Sequence, residues 1–133
     1  MSDYHTKNRH KYLIKLHLVF ATKYRKRILN SNIANDIKQF CFDVCSKNDV
    51  IIDEMETDKD HIHILVDIPP TLAPSKLVKS LKQETTWNIW KTHQSYLKKC
   101  YWKENTFWSD GYFVCSTGDA STETIRKYIE NQG

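Results

Sequence analysis

Val50-Ile-Ile-Asp-Glu-Met-Glu-Thr-Asp-Lys-Asp-His-Ile-His-Ile-Leu-Val-Asp-Ile68 contains two apolar runs joined by the polar tetrad Thr57-Asp58-Lys59-Asp60 and stopped by Pro69-Pro70. The runs at 50–56 and 61–68 are predicted to be the two strands of a hairpin, because a turn-forming tetrad separates them and prolines cannot extend a ladder. Alternation in the second strand sets His61, His63, Leu65 and Asp67 on one face and Ile62, Ile64, Val66 and Ile68 on the other. Two imidazoles leaving one face about 7 Å apart at their bases can converge on a single cation. The same pair also fits a solvated strand face that binds nothing, and the spacing alone supplies neither a third ligand nor an open position for substrate. Asp60 alternates to the wrong face and Asp67 lies well along the strand, so a third ligand would come from elsewhere.

Around this hairpin the pattern supplies partners. Residues 12–20 alternate and read as a strand, with the basic run Thr22–Arg27 at its exit. Asn30 or Ser31 caps a helix whose apolar face is Ile33, Ile37, Phe40, Cys41, Val44 and Cys45, ending near residue 46. A second helix starts at Pro74, with Leu77, Val78, Leu81, Thr85 and Ile89 on its apolar face and Lys76, Lys79 and Lys82 on its polar one. Residues 93–105 give no clear period. Residues 106–116 read as a last strand with a bulge or turn at Asp110-Gly111, and residues 121–131 as a final helix. The order strand, helix, strand, strand, helix, strand, helix predicts an α+β fold: a ferredoxin-like antiparallel sheet with helices mainly on one face. At 133 residues, the whole chain (1–133) is expected to form one domain.

Charge is distributed in blocks. No acidic residue occurs from Tyr4 to Leu29, residues 49–60 are acidic, and Lys76 to Lys103 is basic again, so a polyanion is an expected partner. Four cysteines without a CxxC pair and an N-terminus without an apolar leader point to a reducing cytoplasm. No apolar run reaches the roughly twenty residues that span a bilayer, so no membrane partner is expected.

In the final helix Ile125, Tyr128, Ile129 and Gln132 follow helical spacing, which sets Tyr128 and Gln132 one turn apart. Tyr128 taken alone reads as a core aromatic with its hydroxyl at the edge. A phenol with a pKa near 10 becomes a useful nucleophile toward a phosphodiester only where a cation polarises the phosphate.

These residues and their flanks resemble a known family. Leu18-Val-Phe-Ala-Thr-Lys-Tyr-Arg25, Asp58-Lys-Asp-His-Ile-His-Ile-Leu65, Phe107-Trp-Ser-Asp-Gly-Tyr-Phe113 and Lys127-Tyr-Ile-Glu-Asn-Gln132 together are similar to the HUH single-tyrosine transposases of the IS200 type, the TnpA proteins. The resemblance implies that His61 and His63 are paired ligands of a divalent metal, Mg²⁺ or Mn²⁺, that Gln132 completes the metal shell, and that Tyr128 attacks DNA to leave a 5′-phosphotyrosine. It further implies hairpin-bearing single-stranded DNA as substrate, a homodimer, and no nucleotide cofactor. Two departures accompany it: the chain given ends one residue after Gln132, and Gln83 stands where relatives often carry glycine.

For DNA contacts, Lys23, Tyr24, Arg25, Lys26 and Arg27 combine phosphate-pairing charge with a stacking ring, and Lys76, Lys79 and Lys82 extend the track. The same lysines also fit an ordinary solvated face. Trp87, Trp90, Trp102 and Trp108 read first as core or dimer contacts and second as stacking platforms. Three rival classes use the same residues: a domesticated repeat-associated tyrosine transposase, a noncatalytic nucleic-acid-binding module, and a small metallohydrolase that activates water.

Overall fold

Leu16, Leu18 and Phe20 alternate with Lys15, His17 and Val19 along one seven-residue strand, and that alternation organises the molecule. The computed structural model describes residues 4–7, 10–116, 127, 128 and 130. In chain order the elements are β1 (His5–Lys7), β2 (His10–Tyr12), β3 (Lys15–Ala21), a 3₁₀ turn (Lys23–Arg25), α1 (Ser31–Lys47), β4 (Ile51–Thr57), β5 (His61–Asp67), α2 (Pro74–Thr92), α3 (Gln94–Cys100) and β6 (Phe113–Ser116). The main sheet has the order β4-β5-β3-β6 with antiparallel neighbours throughout, the ferredoxin-like α+β arrangement.

Leu18, Phe20, Ile62, Ile64 and Val66 point to one side of the sheet and are buried with Ile33, Ile37, Cys41 and Val44 of α1 and Leu77, Leu81 and Ile89 of α2. The other side carries His17, His61 and His63. β4 keeps this division by a bulge. Ile52 and Met55 are three residues apart, yet both pack on the core, because the register slips between Ile52 and Glu54 and leaves Asp53 as the extra residue. Glu54 and Glu56 therefore share the histidine face, opposite Leu65 and His63.

Both long helices begin where expected. Asn30 accepts a 3.1 Å hydrogen bond from the Ile33 amide to cap α1, and Pro74 opens α2. α1 stops at Asn48, whose side-chain amide donates to the Val44 carbonyl, and Asp49 then turns the chain at φ 57°.

Three elements differ from the sequence reading. The strand expected over 12–20 is two, β2 and β3, with β2 paired to β1 in a separate small hairpin. His5 ties that hairpin to the buried Asp67 at 2.8 Å. The unassigned stretch after residue 93 contains α3, a seven-residue helix whose one buried side chain is Leu97. The strand expected over 106–116 is only β6 plus an isolated bridge between Thr22 and Trp108. Between them the carbonyls of Ser109, Asp110 and Gly111 accept hydrogen bonds from the Lys82 ammonium in place of strand partners. Of the final helix, residues 127, 128 and 130 are helical, and the rest of it, Gln132 included, lies outside the described residues.

Candidate active site

His63 sits opposite Val19, and Val19 sits opposite Phe113. Directly paired residues in a sheet point the same way, so these three form one row across β5, β3 and β6 on the face away from α1 and α2. Tyr128 packs on the end of this row, its ring centroid 5.5 Å from that of Phe113. His61, opposite Ala21, lies on the same face. The two histidines and the tyrosine, far apart in sequence, thus lie against one sheet surface.

His61 is oriented from behind. Its Nδ1 lies 3.0 Å from Asp60 Oδ1, so the Nδ1 hydrogen belongs to that contact and Nε2 is the nitrogen a cation would take from the neutral ring. Asp60 in turn is held by Arg25, whose Nε and Nη2 both lie 3.3 Å from Oδ2. Burial by itself would raise the Asp60 carboxyl, but the hydrogen bond and charge of His61, together with the Arg25 guanidinium, hold it below the usual carboxylate range. Arg25 also donates from Nη1 to the Glu130 carbonyl at 3.3 Å, so one guanidinium joins the histidine strand to the tyrosine helix.

His63 meets a residue that the sequence reading did not single out. His17 stacks on it with centroids 4.8 Å apart, and His17 Nδ1 lies 2.6 Å from His63 Nε2. One ring nitrogen of the pair must donate and the other accept. Burial lowers the His63 pKa, the charge of His17 lowers it further, and Glu56 and Glu54 pull the other way. The net shift is downward, toward the neutral imidazole that a metal ligand requires. The strand alternation of β3 was the available signal for His17, since it shares a face with Val19 and Ala21.

The Tyr128 hydroxyl is buried and has no hydrogen-bond partner among the described residues. Burial pushes its pKa up to about 12. A buried phenol without a partner is costly unless something else meets it. The donor chemistry fits a divalent cation in part: His61 has Nε2 to offer, whereas His63 Nε2 lies 2.6 Å from His17 Nδ1, which a cation would have to displace. Among the described residues no group of three His, Cys, Asp or Glu side chains is placed to hold a metal ion.

The basic residues named from sequence separate into two kinds. Lys76, Lys79 and Arg27 are exposed. Lys23 pairs with Asp110 at 3.4 Å, Lys26 lies over the Tyr101 ring, Arg25 is committed to Asp60, and Lys82 gives its ammonium to three carbonyls. Tyr24 is exposed and, like Arg25, adopts positive φ (60° and 52°), a left-handed backbone that costs a non-glycine residue about 1–2 kcal/mol. Trp90 and Trp108 belong to the core, whereas Trp87 and Trp102 project outward. Among the described residues no helix is long and apolar enough to cross a membrane.

Comparisons with known proteins agree with this architecture. The family model described as IS200-like transposase matches residues 10–132. The ISDra2 transposase TnpA of Deinococcus radiodurans is 29% identical over 121 residues, covering 91% of this chain and 85% of that protein. A transposase for the insertion sequence element IS200 of Salmonella typhimurium is 30% identical over 118 residues, covering 89% of this chain and 76% of that protein. A crystal structure from Deinococcus radiodurans R1, whose description assigns it provisionally to the transposases, superposes with a TM-score of 0.88 at 26% identity, covering 96% and 97% of the two chains. A repeat-associated tyrosine transposase bound to a REP hairpin shares the fold at a TM-score of 0.56 and 14% identity, covering 98% of this chain and 69% of that one.

Proposed function

The chain belongs to the IS200-like transposase family, with the match running through residues 10–132, and from that premise we propose that it cuts and rejoins hairpin-bearing single-stranded DNA at the ends of an insertion sequence, as a homodimer. The observation that supports this reading is the shared sheet face: His63 at one end of the row through Val19 and Phe113, His61 two residues along the same strand on the same face, and the Tyr128 ring at the other end. The solved relative that carries a REP hairpin makes a hairpin the natural substrate to test.

In this mechanism Tyr128 Oη attacks the scissile phosphorus. A bond from phosphorus to the tyrosine oxygen forms as the bond to the 3′-oxygen breaks; the phenol loses its proton and the departing oxygen gains one. The 5′-phosphotyrosine keeps the phosphodiester's energy, so a different 3′-hydroxyl can reverse the step and exchange strands without a nucleotide triphosphate. A phenol is protonated at neutral pH, and burial pushes the Tyr128 pKa further up to about 12, so the attack needs a group that takes its proton. His61, His63 and Gln132 would hold the divalent cation, Mg²⁺ or Mn²⁺, whose role when bound is to polarise the phosphate oxygens. Bound through imidazole nitrogens and an amide oxygen, such a cation would gain no negative charge from these three side chains. Lys23, Tyr24, Lys26, Arg27, Lys76 and Lys79 are the proposed DNA contacts, and Arg25 and Lys82 contribute charge already engaged inside the protein.

The test is a labelled hairpin-bearing single strand incubated with protein and Mn²⁺ and resolved under denaturing conditions. Wild type gives a protein–DNA adduct; Tyr128→Phe gives none, and His61→Ala or His63→Ala lowers its yield by at least a hundredfold. Persistence of the adduct in Tyr128→Phe refutes the nucleophile. Cleavage without any adduct identifies a hydrolase instead.

A further inference from the structure

Beside the histidine face, the Lys23–Arg25 turn and the segment after α3 enclose a cleft of about 360 Å³, the size of a small-ligand site. Its walls include two aromatic rings that face water: Tyr24 is 63% exposed and Trp102 is 76% exposed. Tyr101 lines it as well, with Lys26, Lys103 and Glu104. Lys26 Nζ lies 5.8 Å from the Tyr101 ring centroid and Lys103 Nζ 5.1 Å from that of Trp102, so the cleft has both flat apolar surfaces and nearby positive charge.

The backbone is built to keep Tyr24 there. Its left-handed conformation is unfavourable for a bulky residue, and five hydrogen bonds maintain the turn against that preference. Lys23 N donates to the Phe107 carbonyl at 2.9 Å, Arg25 N to Thr22 O at 2.9 Å, and Lys26 N to Lys23 O at 3.4 Å. The Thr22 hydroxyl donates to Lys26 O at 2.7 Å and the Tyr101 hydroxyl to Lys23 O at 2.8 Å. The next residue, Arg25, grips the carboxylate that orients His61, so the cleft and the histidine face share one rigid junction.

We infer that the Tyr24–Trp102 cleft stacks one unpaired nucleobase of the single-stranded DNA, with Lys26 and Lys103 taking the flanking phosphates. The inference rests on the proposed single-stranded substrate and names where one nucleotide is clamped. Stacking uses the π-face that every base has, so the cleft is tolerant of sequence, and its contribution is to register the strand against the histidines.

Binding, read by fluorescence anisotropy without cleavage, tests it. The probes are a hairpin with a single-stranded flank and the same hairpin without the flank. Tyr24→Ala and Trp102→Ala each weaken binding of the flanked probe by between about fivefold and a hundredfold, the range for losing one base stack. Tyr24→Phe stays within about twofold of wild type because the ring remains. The bare hairpin binds all four proteins alike. An abasic position moved along the flank finds one site where the wild type loses the same affinity and Tyr24→Ala adds no further loss. Equal binding by wild type and both alanine variants, or no abasic position that cancels the Tyr24→Ala effect, overturns the cleft while leaving the cleavage reading intact. Failure of the wild type to bind the flank at all overturns both, and base stacking without a tyrosine adduct overturns only the cleavage reading.

Discussion

At the residue scale the histidine pair was legible and its support was not. Strand alternation in 61–68 put His61 and His63 on one face, and the structure has them there. The same alternation discounted Asp60 as a ligand. It could not reveal that the carboxylate reaches sideways to His61 Nδ1 while Arg25 holds its other oxygen, because that contact depends on where the 3₁₀ turn returns to the sheet. Alternation in β3 could set His17 on the face of Val19 and Ala21, but its meeting with His63 depends on the register of β3 on β5, which no local spacing states. The Asp60 contact carries a prediction. Asp60→Ala removes the acceptor that fixes the His61 tautomer, and loss of such a partner costs roughly 10–100-fold in metal affinity. Titration of Mn²⁺ followed by electron paramagnetic resonance reads this directly, with near-ultraviolet dichroism reporting that the fold is kept. An unchanged Mn²⁺ affinity would show that the carboxylate does not orient the ligand.

At the element scale, long periodic segments were readable and short or irregular ones were not. α1 and α2 bury a continuous stripe, and their starts are marked by Asn30 and Pro74. α3 buries Leu97 alone, too little to make a period, and its polar residues read equally well as loop. The lysine stripe of α2 shows the limit most clearly. Lys76, Lys79 and Lys82 are equivalent by spacing, yet Lys82 places its Nζ 2.8, 3.2 and 2.7 Å from the carbonyls of Ser109, Asp110 and Gly111, which uses all three of its N–H donors. Burial lowers its pKa, Asp110 opposes that, and Lys23 adds to it. Lys82→Met should therefore lower stability by about 2 kcal/mol, the scale of hydrogen bonds from a charged donor, seen as a reduced urea midpoint. Lys76→Met and Lys79→Met should leave the midpoint alone and each flatten the salt dependence of single-strand binding by about 0.7 in log–log slope. A Lys82→Met midpoint equal to wild type would return this residue to the solvated stripe.

At the scale of the whole molecule, the order of elements was enough to suggest a ferredoxin-like sheet, because two crossover helices in the order found pack most simply on one side. The strand order β4-β5-β3-β6 itself is a long-range property that no local pattern states. One-sided layering also has a chemical consequence. The helix side buries Cys41 and Cys45 to 1% exposure each, and the buried Tyr101 hydroxyl anchors the Lys23–Arg25 turn. Burial raises the pKa of all three groups, with Cys45 reaching about 12, and the charge of Cys45 raises Cys41 further. An acid whose folded pKa is raised stabilises the fold fully below its unfolded pKa and loses that contribution as pH climbs above it, since only the unfolded chain then releases the proton. The thiols, with an ordinary pKa of 9.0, come into play first and the tyrosines near 10. At pH 10 each thiol sits one unit above its ordinary pKa, so the pair should cost about 3 kcal/mol relative to pH 7. Urea midpoints in a reducing buffer should therefore fall steadily from pH 8.5 upward, and Cys45→Ala, which removes one of the two protons, should show roughly half the decline between pH 8.5 and 10. A midpoint that stays level across that interval would mean that the thiols ionise without unfolding the helix layer, and that water reaches α1 far more readily than its packing against the sheet implies.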